Sequence, residues 1–377
     1  MPSARVAVVK CDTYDAPAVE EAVTRGLALL GGAAEFVRPG ERIVLKPNLL
    51  VASGADKAVT THPAVFSAVT RELAAAGAEL SWGDSPGFGT TLGVGRKAGI
   101  AQAAEALGIP AADFEHGRVM SFPDGQLIKQ FTIAEGVAAA DGLVSLPKLK
   151  THALTRMTGA VKNQFGCIPG LLKNEFHSRM PDIEHFSQML VDLNRLIMPR
   201  LAVMDAIVAM QGNGPRNGDP RHVGVLLLSD DVVALDALGC RIMALDPTLV
   251  DTVVYGERWG LGSATDIELL GDELPVFEDY VVNRSRASTT GGRMSSPTVK
   301  RLVTPRPFIV AERCTKCGTC VEVCPVEPKA VDWPGGDRSV PPAYDYERCI
   351  RCYCCQEMCP ERAIEVKVPV LGRIIRR

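Results

Sequence analysis

Eight cysteines near the C-terminus fall into two copies of one spacing, and this repeat limits the fold of that region more than any other feature of the chain. The copies are Cys314-x2-Cys317-x2-Cys320-x3-Cys324-Pro325 and Cys349-x2-Cys352-x2-Cys355-x3-Cys359-Pro360. A [4Fe–4S] cubane needs four thiolates; a tight C-x2-C-x2-C turn supplies three of them, and the fourth comes from the other run. The spacing therefore predicts two [4Fe–4S] clusters.

The spacing also predicts which cysteines bind each cluster. We expect Cys314, Cys317, Cys320 and Cys359 to bind one cluster, and Cys349, Cys352, Cys355 and Cys324 to bind the other. The alternatives are a zinc site, which usually uses two separated ligand pairs, and a disulfide framework, which is typical of short secreted chains. The repeated three-plus-one spacing favours the clusters, although Cys354 beside Cys355 adds a thiol that could compete as a ligand.

Length and composition restrict the class of protein. A chain of 377 residues with 46% hydrophobic residues can form two domains, or one large α/β domain with an appendage. We find no apolar run of signal-peptide or membrane-helix length, so we expect a cytoplasmic protein without a membrane span. A net charge of -3 gives no electrostatic reason to expect nucleic acid as a partner.

The order of sequence patterns predicts the fold class. Short β-branched runs alternate with alanine-rich helical patterns, which favours an α/β fold with a mainly parallel sheet and helices on both faces. The predicted strands are 5–10, 42–46, 79–83, 142–146, 201–204 and 223–229, and the predicted helices are 17–30, 63–76, 94–107, 182–197 and 231–244.

Composition also predicts the domain boundaries. The α/β domain covers residues 1–280, and a small α+β ferredoxin-like iron–sulfur module covers 308–368. Residues 281–307 are rich in Ser, Thr, Arg, Gly and Pro, which indicates a linker or surface arm. The basic tail 369–377 either docks an acidic partner or is a solvated end.

Polar residues end the predicted strands. Ligands of open α/β sheets bind at the carboxyl ends of the strands, and several strands in succession place polar groups there. These groups are Lys46 and Asn48 after the second strand, Asp84, Ser85 and Gly87 after the third, Lys148, Lys150 and His152 after the fourth, and Asp205 after the fifth. We therefore expect a shared polar cleft at this edge.

Two stretches suggest what the cleft binds. The glycine-rich loop at 83–95 leads into a helix and can hold an anion, although plain turn chemistry explains it equally well. No nucleotide-binding fingerprint is present, so the sequence leaves a flavin open. The segment 146–170 adds Lys162 and Asn163 to the cationic groups, which favours a substrate that carries carboxylate or phosphate.

From these patterns we predict two sets of site residues. The catalytic candidates are Lys148, Lys150, His152 and Asp205, and the substrate-binding candidates are Lys46, Asn48, Asp84, Ser85, Gly87, Lys162 and Asn163. Cys167 could be an extra ligand or a thiol nucleophile, but a buried small hydrophobic residue is the simpler interpretation.

Six strings resemble a known family. They are LKPNLL (45–50), THPAV (61–65), GDSPG (83–87), LPKLKTH (146–152), TGAVKNQFGCIPG (158–170) and DAIVAMQGNGP (205–215). They are similar to the family catalogued as domain of unknown function 362, in which many members carry a twin-cluster segment like the one here. The resemblance covers residues 5 to 280 and the cysteine module. It implies iron–sulfur binding but no particular reaction.

We weigh three functions. The first is a reductase that passes single electrons from an external donor such as a ferredoxin, through the clusters, to a small anionic substrate at the sheet edge. The second is a non-catalytic electron-transfer or assembly subunit that docks a partner redox enzyme. The third is metal or cofactor maturation through Asp84, His152, Asp205 and Cys167, but the large domain lacks the paired His or Cys motifs that would support it.

Overall fold

The structure is a computed structural model that describes residues 3–170, 172–180, 182–285 and 304–369. Residues 286–303, which are most of the predicted linker or arm, lie outside the described residues. The same holds for residues 370–377, which are nearly all of the predicted basic tail.

A nine-stranded sheet forms the centre of the large domain. The strands of this domain, including a separate hairpin of β4 and β5, are β1 (Ala4–Lys10), β2 (Arg42–Pro47), β3 (Glu79–Trp82), β4 (Gly117–Ser121), β5 (Gln130–Ala134), β6 (Gly142–Leu146), β7 (Lys148–His152), β8 (Arg156–Thr158), β9 (Leu201–Gln211), β10 (Asp219–Ser229) and β11 (Ile267–Gly271). The main path runs β11-β1-β10-β9-β6-β2-β3, and β7 pairs with β8 and β9. Antiparallel pairing is limited to β10 with its two neighbours and to β7 with β8, so the sheet is mostly parallel, as predicted.

Helices cover both faces of the sheet. They are α1 (Ala16–Leu29), α2 (Pro63–Ala75), α3 (Thr91–Ala98), α4 (Ile100–Ala106), α5 (Glu135–Ala138), α6 (Ala160–Asn163), α7 (Leu172–Arg179), α8 (Ile183–Ile197), α9 (Val232–Ile242) and α10 (Asp251–Arg258). The apolar residues of α1 to α4 pack on one face, and those of α8, α9 and α10 pack on the other. This two-sided core confirms the predicted α/β fold class.

Three predicted elements differ from the structure. The predicted helix 94–107 is two helices, because Gly99 between them has a φ of 83° that ends the first one. The strand expected to end at Asp205 continues to Gln211, so Asp205 lies within β9. The segment from Lys148 to His152, expected to follow a strand, is itself the buried strand β7.

The cysteine-rich module is built from short elements. They are β12 (Arg306–Ile309), α11 (Thr319–Glu322), β13 (Val331–Asp332), β14 (Ala343–Tyr344), α12 (Cys354–Met358) and β15 (Ile364–Lys367). Strand β12 pairs with β15, and β13 pairs with β14, both in antiparallel fashion. The module therefore has the small α+β character predicted from the sequence.

Side-chain hydrogen bonds fix the module to the large domain. Asn217 Nδ2 donates to the carbonyl oxygens of Gln356 at 3.1 Å and Cys359 at 3.2 Å. Gln356 Nε2 donates to Asn213 Oδ1 at 2.8 Å. Tyr353 is 2% exposed and belongs to the main core of the large domain. The module thus sits directly on the α/β domain.

No helix in the described ranges is both long and apolar enough to cross a membrane.

We predict that Asn217→Asp weakens the attachment of the module. A carboxylate there would face two carbonyl oxygens that now accept hydrogen bonds, so the free energy of unfolding should fall by about 1–3 kcal/mol. Hydrogen exchange of the amides of residues 354–359 in the cluster-loaded protein measures the local effect. Gln130→Glu, a matched change from amide to carboxylate at an exposed site, is the control; equal exchange in both variants would contradict the prediction.

Candidate functional site

A cavity of about 380 Å³ lies between the carboxyl ends of the sheet strands and the cluster module. On the sheet side, it is lined by residues that follow β2 and β3 and by residues of the segment from β7 through α7. On the module side, it is lined by Val323, Cys354, Glu357 and Met358. Gly87 belongs to this boundary, because a Cβ atom there would lie 2.6 Å from Met358 Cε. The two parts of the chain therefore form one cavity together.

A buried ion pair borders the cavity. Lys46 Nζ lies 2.8 Å from Asp84 Oδ1, and Asp84 Oδ2 accepts a hydrogen bond of 2.6 Å from the amide of Leu49. Burial raises the pKa of Asp84, and the charge of Lys46 opposes this effect. Gly166 makes room for the pair, since a Cβ atom there would lie 1.8 Å from Asp84 Oδ1. Alanine at 166 would displace the carboxylate.

The amide side chains of Asn48 and Asn163 position a second lysine of the cavity, Lys150, next to Lys46. Lys150 Nζ donates to Asn48 Oδ1 at 2.6 Å and to the carbonyl oxygen of Val59 at 2.7 Å. Asn163 Oδ1 accepts from Asn48 Nδ2 at 3.3 Å and from Lys46 Nζ at 3.2 Å. Burial, together with the charge of nearby lysines, lowers the pKa of Lys150 well below its ordinary value.

Two further lysines line the cavity. Lys173 Nζ donates to the carbonyl oxygen of Ile168 at 3.0 Å and to Ser85 Oγ, and burial lowers the pKa of Lys173 to about 8. Burial also lowers the pKa of Lys162, whose ammonium group has no hydrogen bond or ion pair within the described part of the chain. Lys162 is therefore available to a ligand.

The charges of the cavity favour an anion. Three lysines, Lys150, Lys162 and Lys173, line it together with two carboxylates, Asp84 and Glu357, and Asp84 is already paired with Lys46. Removal from water disfavours the charged form of each lysine, and a bound anion would stabilise that form. The cavity can thus take up an anion and a proton together.

A buried contact between His152 and Glu357 joins the large domain to the module. His152 Nε2 lies 3.0 Å from Glu357 Oε1. His152 Nδ1 accepts from the amides of Leu154 at 3.0 Å and Thr155 at 3.3 Å, so the proton of the neutral ring is on Nε2, the nitrogen nearer to Glu357. Burial lowers the pKa of His152 to about 4. Burial opposes ionisation of Glu357, but His152, Lys162 and His177 outweigh it and lower its pKa to about 2.

Lys148 and Asp205 form a separate buried network. Lys148 Nζ donates to Asp205 Oδ2 and to the hydroxyl oxygen of Tyr14, both at 2.7 Å. Asp205 also accepts from Tyr14 OH at 2.8 Å and from the amide of His62 at 3.0 Å. Neither Lys148 nor Asp205 is among the described residues that line the cavity. A catalytic role for these two stays a prediction.

Each predicted set of cluster cysteines surrounds its own small cavity. Cys314, Cys317, Cys320 and Cys359 line one, which we call cage 1. Cys324, Cys349, Cys352 and Cys355 line the other, which we call cage 2. Each cage thus takes three thiols from one run and a fourth from the other, which fits a cubane. In the described residues, no group of three or more His, Cys, Asp or Glu could hold a single metal ion.

The two cage loops share an unusual backbone. Lys316 and Gly318 in the first loop have φ of 62° and 83°, and Arg351 and Tyr353, at the matching positions of the second, both have φ of 64°. Residues other than glycine rarely adopt this left-handed backbone conformation. At Tyr353 the surroundings hold it, since the buried ring packs in the main core and its hydroxyl donates to the carbonyl oxygen of Pro305 at 2.8 Å.

The remaining thiols lie outside the cages. Cys354 lines the 380 Å³ cavity rather than cage 2, although it is adjacent to Cys355 in sequence. Cys167 is fully buried, and burial raises its pKa to about 12. A neutral buried thiol agrees with the simpler interpretation of Cys167 as a small hydrophobic residue.

The structure brings together most of the predicted site residues. Asn48, Asp84, Ser85, Gly87, Lys150, Lys162 and Asn163 line the 380 Å³ cavity, and Lys46 bonds to two of them. His152 is not among the described residues that line the cavity but lies beside Glu357, which is, and it also lines a larger space of about 800 Å³ with Ser285 and Pro305. No sequence pattern pointed to Lys173, His177 or Glu357, which also line the smaller cavity.

Comparison with known proteins finds two family matches and one curated relative. A family described as domain of unknown function (DUF362) matches residues 43–241, and a 4Fe-4S dicluster domain matches residues 306–363. The chain is 39% identical over 257 residues to a protein of Synechocystis sp. named a thylakoid-associated protein. That alignment covers 68% of this chain and 79% of the relative.

Two solved structures are similar at a lower level. The lactate racemase apoprotein from Thermoanaerobacterium thermosaccharolyticum has a TM-score of 0.40 and 13% identity, over 64% of this chain and 56% of that one. A Thermotoga maritima protein from a structural genomics consortium has a TM-score of 0.32 and 12% identity, over 58% of this chain and 56% of that one. This chain spans little more than half of each, and TM-scores this low carry no argument about its function.

We predict that the cage cysteines and the other thiols respond differently to substitution. Cys320→Ala and Cys355→Ala should each lose one cluster, or about half of the iron, because each removes one of four thiolates. Cys354→Ala and Cys167→Ala should keep the full iron content. Iron and sulfide analysis of anaerobically prepared protein measures this; equal iron loss in Cys354→Ala and Cys355→Ala would show that Cys354 is a ligand.

We also predict that anion binding weakens as pH rises through 8. Lys173 has a pKa of about 8 and carries its charge only below that value. Sulfate does not titrate in this range, so its dissociation constant should rise by up to about tenfold per pH unit above pH 8 when one proton is coupled. Calorimetric titration at pH 7 and pH 9 measures the change, and Lys173→Met should flatten it. An unchanged profile in that variant would contradict the assignment.

Proposed function

The chain belongs to the DUF362 family and carries a 4Fe–4S dicluster domain that binds two [4Fe–4S] clusters, and from this premise we propose that it is an iron–sulfur reductase. Its substrate is a small organic anion that carries carboxylate or phosphate and binds in the 380 Å³ cavity. When bound, the clusters supply single electrons.

One observation carries the proposal. The same cavity is lined by the cationic edge of the sheet and by the cluster module. Cys354 on the module side lies between Cys352 and Cys355 of cage 2, and Lys150 and Lys162 line the sheet side. An anion bound by these lysines would therefore lie against the backbone that carries cage 2. A protein that only carried electrons would not need buried ammonium groups at this position, because burying charge costs free energy.

In the proposed reaction, the cavity lysines bind the anion and donate protons to it. Lys162 binds the anion, and Asn48, Asn163, Ser85 and Gly87 shape its surroundings. Lys173 has a pKa of about 8, so it carries a proton at neutral pH and can donate it to an atom that gains electrons. Burial lowers the pKa of Lys150 in the same direction, which makes its ammonium group a stronger acid. A two-electron reduction of a carbonyl or an activated double bond takes up two electrons, one at a time, and two protons.

The other predicted catalytic residues act through these groups. His152 lies 3.0 Å from Glu357 and helps to fix the position of that carboxylate beside Lys162. The pair of Lys148 and Asp205 joins β7 to β9 at the start of the strand that carries Lys150. We assign His152, Lys148 and Asp205 as positioning residues for the cavity, and Lys46 and Asp84 as the pair that fixes its base.

The electron donor and the location of the protein complete the proposal. The donor is an external one-electron carrier such as a ferredoxin, because a dicluster domain exchanges electrons singly. The cytoplasm stays the predicted location.

Replacing the cavity lysines should slow electron delivery to small anions. The chemically reduced protein is mixed with a panel of small carboxylates and phosphates, and reoxidation of its clusters is followed by absorbance. Lys162→Met should slow reoxidation by the active compounds by about tenfold or more, since a charged hydrogen bond to the anion is lost. Lys150→Met should act in the same direction.

Lys97→Met, on the exposed face of α3, is the matched control and should leave reoxidation unchanged. If no compound reoxidises the protein faster than buffer, or if the cavity variants behave like the control, the reductase proposal fails. The chain would then be a non-catalytic subunit that docks a partner redox enzyme.

A further inference from the structure

The two cages differ in their exposure to solvent. In cage 1, Cys317 is exposed and Cys314 is half-buried, and the loop residues between them, Thr315 and Lys316, are exposed as well. A cluster held here would have protein on one side and solvent on the other. Cage 1 is therefore open to a second protein.

Cage 2 is covered by the large domain. Cys324, Cys352 and Cys355 are buried and Cys349 is half-buried, so cage 2 has no exposed cysteine like Cys317 of cage 1. Cys352 and Cys354 pack in one apolar cluster with Val59 and Met210 of the large domain. Cys354 also lines the 380 Å³ cavity. Cage 2 thus faces the cavity, whereas the described residues leave little of it open to solvent.

The two cages adjoin each other. Cys320 and Cys359 of cage 1 and Cys324 and Cys355 of cage 2 belong to one apolar cluster of buried residues. Each cage also takes its fourth cysteine from the run that forms the other. Buried residues therefore connect the exposed cage to the covered one.

We propose that an electron-carrier protein docks on the exposed surface around Cys317, so that electrons are accepted at cage 1 and leave for the cavity from cage 2. The inference rests on the proposed function for the direction of flow. At each docking event the carrier is oxidised by one electron, and the dicluster module is reduced by one. No proton or further reactant is needed at this surface.

The charges around Cys317 indicate the kind of carrier that fits. Two charged residues line cage 1, Lys316 and Glu361, and both are exposed. The rim of the cage therefore has no dominant sign of charge. It fits a carrier with a mixed docking face, and the association rate should depend weakly on salt.

The first experiment blocks the surface and leaves the cysteines intact. Glu361 lies at the mouth of cage 1, is exposed, and makes no hydrogen bond or ion pair with any described residue. Glu361→Trp adds bulk above the cage. The probe is reduced flavodoxin, mixed with the oxidised cluster-loaded protein in a stopped-flow instrument. The rate of electron transfer should fall by about tenfold, because docking requires a specific patch.

Dithionite, a small reductant, should still reduce the clusters of Glu361→Trp as fast as those of the unmodified protein. The matched control is Glu105→Trp, an exposed change on α4 that should leave the flavodoxin rate unaltered. Equal flavodoxin rates in both variants would overturn the proposal.

The second experiment needs no variant. The cluster-loaded protein is oxidised briefly with ferricyanide, alkylated with iodoacetamide, and digested for mass spectrometry. Alkylation should appear first on Cys314, Cys317, Cys320 and Cys359, because a cluster in the open cage meets the oxidant first. Simultaneous labelling of both sets, or earlier labelling of Cys324, Cys349, Cys352 and Cys355, would overturn the proposal.

The two proposals can fail separately. Glu361→Trp should slow reduction of the clusters by flavodoxin and leave their reoxidation by small anions unchanged. Lys162→Met should do the reverse. If Glu361→Trp slows reduction by flavodoxin and Lys162→Met does not slow reoxidation by small anions, the docking proposal stands and the reductase proposal fails.

Discussion

The contact between His152 and Glu357 is the constraint on which the arrangement of this protein depends. Glu357 lies in the sequence between a cysteine of cage 2 and a cysteine of cage 1, and it is buried against the large domain. A buried carboxylate is costly without compensating neighbours, and His152, Lys162 and His177 lower the pKa of Glu357 to about 2 in spite of its burial. The histidine therefore fixes the position of the helical turn that carries both cages, and with it the module side of the cavity.

On the sheet side, strand geometry places the charges. Lys148, Lys150 and His152 alternate along β7, so their side chains point to the same face, while Leu149 packs in the core. Lys148 bonds to Asp205, whereas Lys150 reaches the cavity and His152 meets the module. Three polar groups on one short buried strand are stable because each finds its partner on a different neighbouring element.

The sequence was informative where chemistry imposes a spacing. The cysteine repeat predicted both cages, and the polar residues after β2 and β3 predicted the cavity edge, because parallel strands end together. Strand β7 was missed, since a run of lysines and a histidine has neither the apolar pattern nor the composition of a buried strand. Its stability depends on Asn48, Asp205 and Glu357, which are distant in sequence. Lys173 was missed for a similar reason, because only the fold brings α7 to Ser85.

Tyr353 links the state of one cage to the integrity of the whole fold. Its strained backbone belongs to the loop of cage 2, and its ring is part of the main core. If air removed the cluster that organises this loop, only the core packing of the ring and its hydrogen bond to Pro305 would hold the strained backbone, and this part of the core would weaken. Ageing of the protein in oxygen would therefore proceed in two stages. Damage at cage 1 would only stop electron transfer, whereas damage at cage 2 would expose apolar surface to proteases and to aggregation.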